Sequence, residues 1–153
     1  MLAITAPDIA RINMGVLVEK AATVLPATTT TAYFTVTGWV DITALFGICT
    51  TVCSATATNL SIVHVPSSPA SVNTTIANTL AIASYDAGSL VAAELDGTAL
   101  LGVDGAAAAV IPTNRMRVGP GSISLTTSAT NTGAFQWVLR YIPVQSGATV
   151  VAA

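Results

Sequence analysis

The chain has 153 residues and a mass of 15.4 kDa, one domain's worth of polypeptide and enough to bury a core without disulfides or metals. Only 8% of its residues are charged and its formal net charge is -2, where an ordinary soluble domain carries about 25% Asp, Glu, Lys and Arg. With a pI near 4.9 and five Lys and Arg in all, it lacks the basic field that nucleic-acid binding needs, so no nucleic-acid partner is expected.

The mean hydropathy of +0.72 would suit a membrane protein. However, the uncharged stretch from Ile42 to Tyr85 is cut by Thr50, Thr51, Ser54, Thr56, Thr58, Asn59 and Pro66. No window supplies the roughly 20 consecutive apolar residues of a spanning helix. At 5%, aromatic residues are also too few to furnish the two interfacial girdles of an outer-membrane barrel. No membrane role is expected. A folded monomer of this size exposes roughly 7,000 Å², and few charges are available to cover it. Two or three neighbours, each covering about 800 Å², would bury about a quarter of that surface. Low charge with a high apolar fraction therefore points to a subunit whose surface is covered by partners.

In chain order, Met1 to Met14 reads as an extended arm, with apolar Leu2, Ile4, Ile9 and Ile12 and a break at Pro7; these four residues are candidate interface positions. The N-terminus lacks a basic segment followed by a 7 to 15-residue apolar run, so it does not read as a signal peptide. Gly15 to Leu25 continues as a strand or a short helix, ended by Pro26 and Thr28 to Thr31. Tyr33 to Thr37 and Trp39 to Thr43 mix aromatic, β-branched and Thr residues in a short-period pattern, which predicts strands with a bend at Gly38. Leu45 to Ala55 and Asn59 to Val65 read as two further strands, and Asn73 to Ser84 as another, with helix the less favoured reading.

Ala87-Gly88, Asp96-Gly97 and Asp104-Gly105 mark turns on either side of Leu90 to Leu95 and Ala99 to Val103, Asp-Gly being a favoured hairpin turn. The spacing of a calcium loop is absent. Ala106 to Ala109 is too short to hold a helix unaided and reads as a small-residue contact. Gly121 to Thr127 and Ala134 to Ile142 read as a hairpin joined by Ser128 to Gly133, with Phe135, Trp137 and Leu139 on one face and Val138 on the other. The tail Ala148 to Ala153 carries no charge and is expected to dock, which makes Val150 and Val151 candidate interface residues.

Candidate chemistry is sparse. His64 is the single histidine and stands in an apolar strand, where a structural role is the ordinary reading; no G-x-S-x-G elbow raises the prior for a triad. Cys49 and Cys53 are the two cysteines. On an extended strand they would sit too far apart to bond each other, so they read as buried free thiols rather than a disulfide or a metal site. Arg115 and Arg117 share a strand face and are expected to pair with Asp or Glu, on this chain or on another subunit. No catalytic residue, no metal ligand, no cofactor and no small-molecule substrate is expected.

The segments YFTVTGWVDITALFGICTTV (Tyr33 to Val52) and GSISLTTSATNTGAFQWVLRYIPVQSGATVVAA (Gly121 to Ala153) resemble small structural proteins of tailed bacteriophages. Those proteins are rich in Ala, Thr and Gly, low in charge and β-rich. The likeness spans about a third of the chain and is one of style more than of a diagnostic motif. It implies a capsid decoration or cement subunit, made in the host cytoplasm and carried on the capsid surface of the virion. Its partners would be the major capsid protein and copies of itself, as dimer or trimer. The expected fold is an all-β, single-domain, jelly-roll-like sandwich of about eight strands over residues 15–147, with an extended arm at 1–14 and an apolar tail at 148–153. The competing reading is a tail or fibre module that binds host carbohydrate through Trp39 or Trp137, both of which otherwise belong to the core.

Overall fold

Alternation of apolar and hydroxyl-bearing residues dominates the chain, and the elements it produces are strands. The computed structural model describes residues 14–67, 72–105 and 112–153. Among them are β1 (Val16–Val24), β2 (Thr30–Thr37), β3 (Val40–Thr51), β4 (Asn59–Pro66), β5 (Thr74–Ala81), β6 (Leu90–Ala92), β7 (Leu101–Val103), β8 (Met116–Val118), β9 (Gly121–Thr127), β10 (Ala134–Pro143) and β11 (Thr149–Ala152). They form two antiparallel sheets. One has the order β1-β10-β3-β6-β7, with β8 also paired to β3, and the other the order β11-β2-β9-β4-β5. The elements of two or more described residues are all strands, and the architecture of the described residues is that of an all-β sandwich.

The core lies between the sheets. β3 and β10 are cross-strand partners over ten positions and send Ile42, Leu45, Phe135, Trp137 and Leu139 inward. The second sheet answers with Phe34, Leu60, Ile62, Ile123 and Leu125. Gly47 stands opposite Trp137, and a Cβ there would lie 3.0 Å from three carbons of the indole. The absence of a side chain on β3 is what leaves room for the largest side chain of the core. Trp137 also stacks on Phe135 at 6.0 Å and meets the edge of Tyr33 at 6.4 Å.

Several elements differ from the sequence expectation. Among the described residues there are eleven strands where about eight are expected, since β6, β7 and β8 span three residues each and are too short to show a period. Trp39 to Thr43 and Leu45 to Ala55 are one strand, β3, kept continuous by a register shift where Arg140 and Tyr141 oppose Ala44 and Ile42. Gly15 to Leu25 is extended, as β1. The expected hairpin of Gly121 to Ile142 does not form, since β9 and β10 belong to different sheets.

The cause of that difference is Asn131, in the connection between them. Its buried side chain accepts the Ser54 and Gly133 amides at 2.9 and 3.0 Å and donates to Thr58 Oγ1 at 3.0 Å. It thereby ties the crossing to the segment between β3 and β4. The C-terminal residues do not extend beyond the sandwich, because β11 pairs with β2 as an edge strand. The backbone amide of Ala153 continues that ladder to Tyr33 O at 3.0 Å. Lys20 of β1 donates to Ala153 O and lies 5.3 Å from the Tyr33 ring centre, closing the side of the sandwich where β1 meets β11.

Candidate interaction surface

Antiparallel sheets in sandwiches ordinarily present a polar face to water. The outer face of the five-stranded sheet does so. Thr30, Thr126 and Ser61 form one transverse row and Thr35 and Ser122 the middle of another, between Val151 and Val65, with Thr30 and Thr126 hydroxyls 2.8 Å apart.

The outer face of the six-stranded sheet is different. Register places Val138, Phe46, Ala92 and Leu101 in one row, and Ile48, Leu90 and Val103 in the next, with Gln136 at the β10 end of the second. The seven besides Gln136 are apolar, and none belongs to the core cluster or packs against it. Val138 and Ala92 are buried, each 6% exposed. Phe46, Ile48, Leu90 and Val103 are half-buried, and Leu101 is 38% exposed. On β1 the same face carries Leu17, 45% exposed, beside Arg140, and Glu19 beside Val138.

The sequence reading missed these positions. The signal that marks them is the run Ala44 to Cys49, ALFGIC, six residues without a polar side chain in a strand that should alternate. Such a run is the pattern of a strand buried on both faces.

The residues expected at interfaces are distributed unequally. Leu2, Ile4, Ile9 and Ile12 lie outside the described residues, as does the Ala106 to Ala109 contact. Val150 points into the chain's own core at 3% exposure, whereas Val151 is 54% exposed. Arg117, on β8, binds Asp41 of β3 in the same chain with two hydrogen bonds, Nε to Oδ1 at 2.7 Å and Nη2 to Oδ2 at 3.0 Å. That bidentate pair sits at the end of the apolar face, in the row of Ile142. The Arg117 guanidinium, with a smaller contribution from Arg115, holds the Asp41 carboxyl below the usual carboxylate range.

The two tryptophans part company: Trp137 is fully buried and Trp39 is 46% exposed. The Trp39 ring lies over Gly119, where a Cβ would stand 3.3 Å from it, and its carbonyl accepts the Val144 amide at 2.9 Å. Next to it opens a shallow depression of about 510 Å³ lined by Thr35, Thr37, Pro66, Pro120 and Ser122 among others.

The polar groups inside the sandwich are occupied with structure. His64 is buried on β4, with Nε2 3.1 Å from Gly119 O, and burial pushes its pKa below the usual imidazole value. Cys49 and Cys53 are both buried free thiols. The extended spacing expected for them does not hold, because β3 ends at Thr51 and the chain turns, placing the two thiols near enough to raise the Cys53 pKa electrostatically, while the Cys49 thiol donates to Thr51 O at 3.1 Å. Burial raises both, that of Cys53 to about 12, so neither is a thiolate at neutral pH. The Asp-Gly turns use their carboxylates internally: Asp96 accepts from the Thr98 amide at 2.9 Å, and Asp104 from the Asp86 amide at 3.0 Å and the Ser89 hydroxyl at 2.8 Å. Among the described residues, no group of three or more His, Cys, Asp or Glu is placed to hold a metal ion.

No family model, curated protein or solved structure matches the chain.

Proposed function

We propose that this chain is a non-enzymatic virion structural protein, a capsid decoration or cement subunit with a jelly-roll-like sandwich, that stabilises a shell by binding across neighbouring capsid subunits. The observation that carries this reading is the apolar outer face of the six-stranded sheet. A protein with 8% charged residues has concentrated Phe46, Ile48, Leu90 and Leu101 on a surface that its own core does not use. Apolar side chains left part-exposed together on one sheet face mark a site of association.

A subunit that binds the assembled lattice and not its dissociated parts stabilises the lattice by linkage alone, with no chemistry. At a free concentration one hundred times its dissociation constant, each site contributes about 2.7 kcal/mol. The partners in this reading are the major capsid protein and further copies of the chain. The test is to strip the protein from particles and measure their resistance to heat and pressure. Resistance should fall on removal and return on re-addition, and particles indifferent to both would refute the proposal.

A second reading is supported by the exposure of Trp39 near a depression where the hydroxyls of Thr35, Thr37, Ser67 and Ser122 stand among Val36, Val65, Pro66 and Pro120. In a tail or fibre module that arrangement suits stacking against a sugar ring, with Thr and Ser hydroxyls hydrogen-bonding its substituents. Glycan-array binding that disappears in Trp39→Ala would establish it. An absence of binding by the unmodified protein would remove it.

A further inference from the structure

We infer that the apolar outer face of the six-stranded sheet is the contact between two copies of this chain, packed sheet on sheet about a two-fold axis. The inference rests on the reading of the chain as an assembly subunit and names the surface and the partner.

Area is the first argument. The strands crossing this face are β1, β10, β3, β6 and β7. At about 3.4 Å per residue and about 4.8 Å between strands they cover about 600 Å² in plan. Side-chain relief brings that near the roughly 800 Å² of accessible surface that each partner contributes to a stable interface. One facing sheet of the same dimensions is therefore enough, and aligned sheets stack about 10 Å apart with their side chains interdigitated.

Charge is the second argument. Register places Glu19, Arg140, Asp41 and Arg117 on the face, and Arg115 and Glu94, two residues from Arg117 and Ala92, add one base and one acid at its margins. Asp41 and Arg117 neutralise each other. Glu19 and Arg140 are diagonal neighbours on β1 and β10, and no ion pair holds either of them among the described residues. One acid and one base beside an apolar field make a surface complementary to itself. A two-fold operation brings Glu19 of each copy toward Arg140 of the other, so that both charges are satisfied twice. A partner of single net charge would satisfy one and oppose the other.

Sedimentation velocity of the full chain from micromolar to millimolar concentration tests this. The chain should pass from monomer to a dimer of twice 15.4 kDa. Leu101→Glu places a carboxylate in the apolar row at a position already part-exposed. It should raise the dissociation constant at least about tenfold while far-UV circular dichroism and Tm stay unchanged. Glu19→Arg and Arg140→Glu should each weaken the dimer, and the double exchange should restore it to within about threefold. Restoration of Tm without restoration of the dimer would mean that the two charges pair within one chain, and would overturn the inference. A chain that remains monomeric throughout, its face then covered by its own N-terminal residues or by a capsid protein, would also overturn it, as would a dimer insensitive to Leu101→Glu. The cement reading fails separately: a dimer that does not bind shells refutes that function and leaves this contact standing.

Discussion

The contact between Gly47 and Trp137 permits a quantitative test of the core. Gly47→Ala introduces a methyl group 3.0 Å from the indole carbons Cη2, Cζ2 and Cζ3, whereas carbon atoms pack at about 3.5–4.0 Å. The ring must retreat by about half an ångström or more, in a core where it is fully buried. Overpacking of this kind costs about 1–3 kcal/mol, offset by the roughly 0.5–1 kcal/mol that Ala gains over Gly in a strand. A net loss of about 1 kcal/mol is expected. Trp137→Phe removes ring volume, which costs about 1.5–3 kcal/mol. It also removes an indole N–H that has no hydrogen-bond partner, which returns about 1–3 kcal/mol. Its net cost should fall within about 2 kcal/mol. In the double variant the smaller ring no longer meets the new methyl, so Gly47→Ala becomes neutral or stabilising and the pair couples by about 1–2 kcal/mol. Urea denaturation followed by circular dichroism measures all four corners of the cycle. Costs that add within about 0.5 kcal/mol would refute the account of Gly47 as the space that Trp137 fills.

Asn131→Ala should cost about 2–4 kcal/mol, since it strands the Ser54 and Gly133 amides at a buried site; urea denaturation measures it, and a loss below about 1 kcal/mol would mean that the β9–β10 crossing is held by other contacts. The thiols of Cys49 and Cys53 should react with a thiol-specific reagent at pH 8 only as fast as the protein opens, because the raised pKa values leave little thiolate; rapid native labelling would contradict their burial. Stability should also fall in two steps on acidification. His64 has a folded pKa below its unfolded value of 6.5, so the unfolded chain takes up the proton first. Stability therefore declines as pH drops through 6.5 toward the folded value, and His64→Leu should remove that step. Asp41, Asp96 and Asp104 are depressed from 3.8, so their contributions are complete above that value and vanish as pH falls through the lower folded values. Arg117→Ala should shrink that second step and leave the first intact.

The strands that could be read from sequence are those whose pattern is decided locally. β4 alternates buried and part-exposed residues between turn residues and occurs where the pattern puts it, β5 falls within Asn73 to Ser84, and β2 covers Tyr33 to Thr37 but begins earlier, at Thr30, inside the run read as a break. The β9–β10 connection shows the limit of such reading. Ser128 to Gly133 has the composition of a turn whether the chain folds back in one sheet or crosses to the other. The choice is made by Asn131 reaching Ser54 and Thr58, about 75 positions away in sequence. The exposure of Trp39 and the burial of Trp137 follow the same rule, for both are strand-associated aromatics, and only Gly47 on the facing strand creates space for one of them. At Cys49 and Cys53 an argument from extended spacing failed because the strand ended between them.

The interface candidates chosen from sequence were the apolar residues near the ends of the chain, on the premise that a terminal segment without charge must be covered by a partner. For Val150 the cover is the chain's own core, which lies beneath an edge strand formed by those same residues. The shortage of charge still requires an outlet, and it moves from the termini to the middle of the fold. On the five-stranded sheet, Thr and Ser replace charge as the solvent-facing residues and satisfy one another, so that face is compatible with water. On the six-stranded sheet there is no such substitution at the middle of the face, where Phe46, Ile48, Leu90 and Leu101 stand. An edge strand with unpaired backbone groups is a general hazard of sheets, and a two-sided apolar strand at the centre of a sheet is left, among the described residues, with part-exposed side chains once the core side is filled. Phe46 and Ile48 are therefore the residues whose composition is hardest to explain for an isolated monomer, and the positions at which a polar substitution should separate solubility from assembly most cleanly.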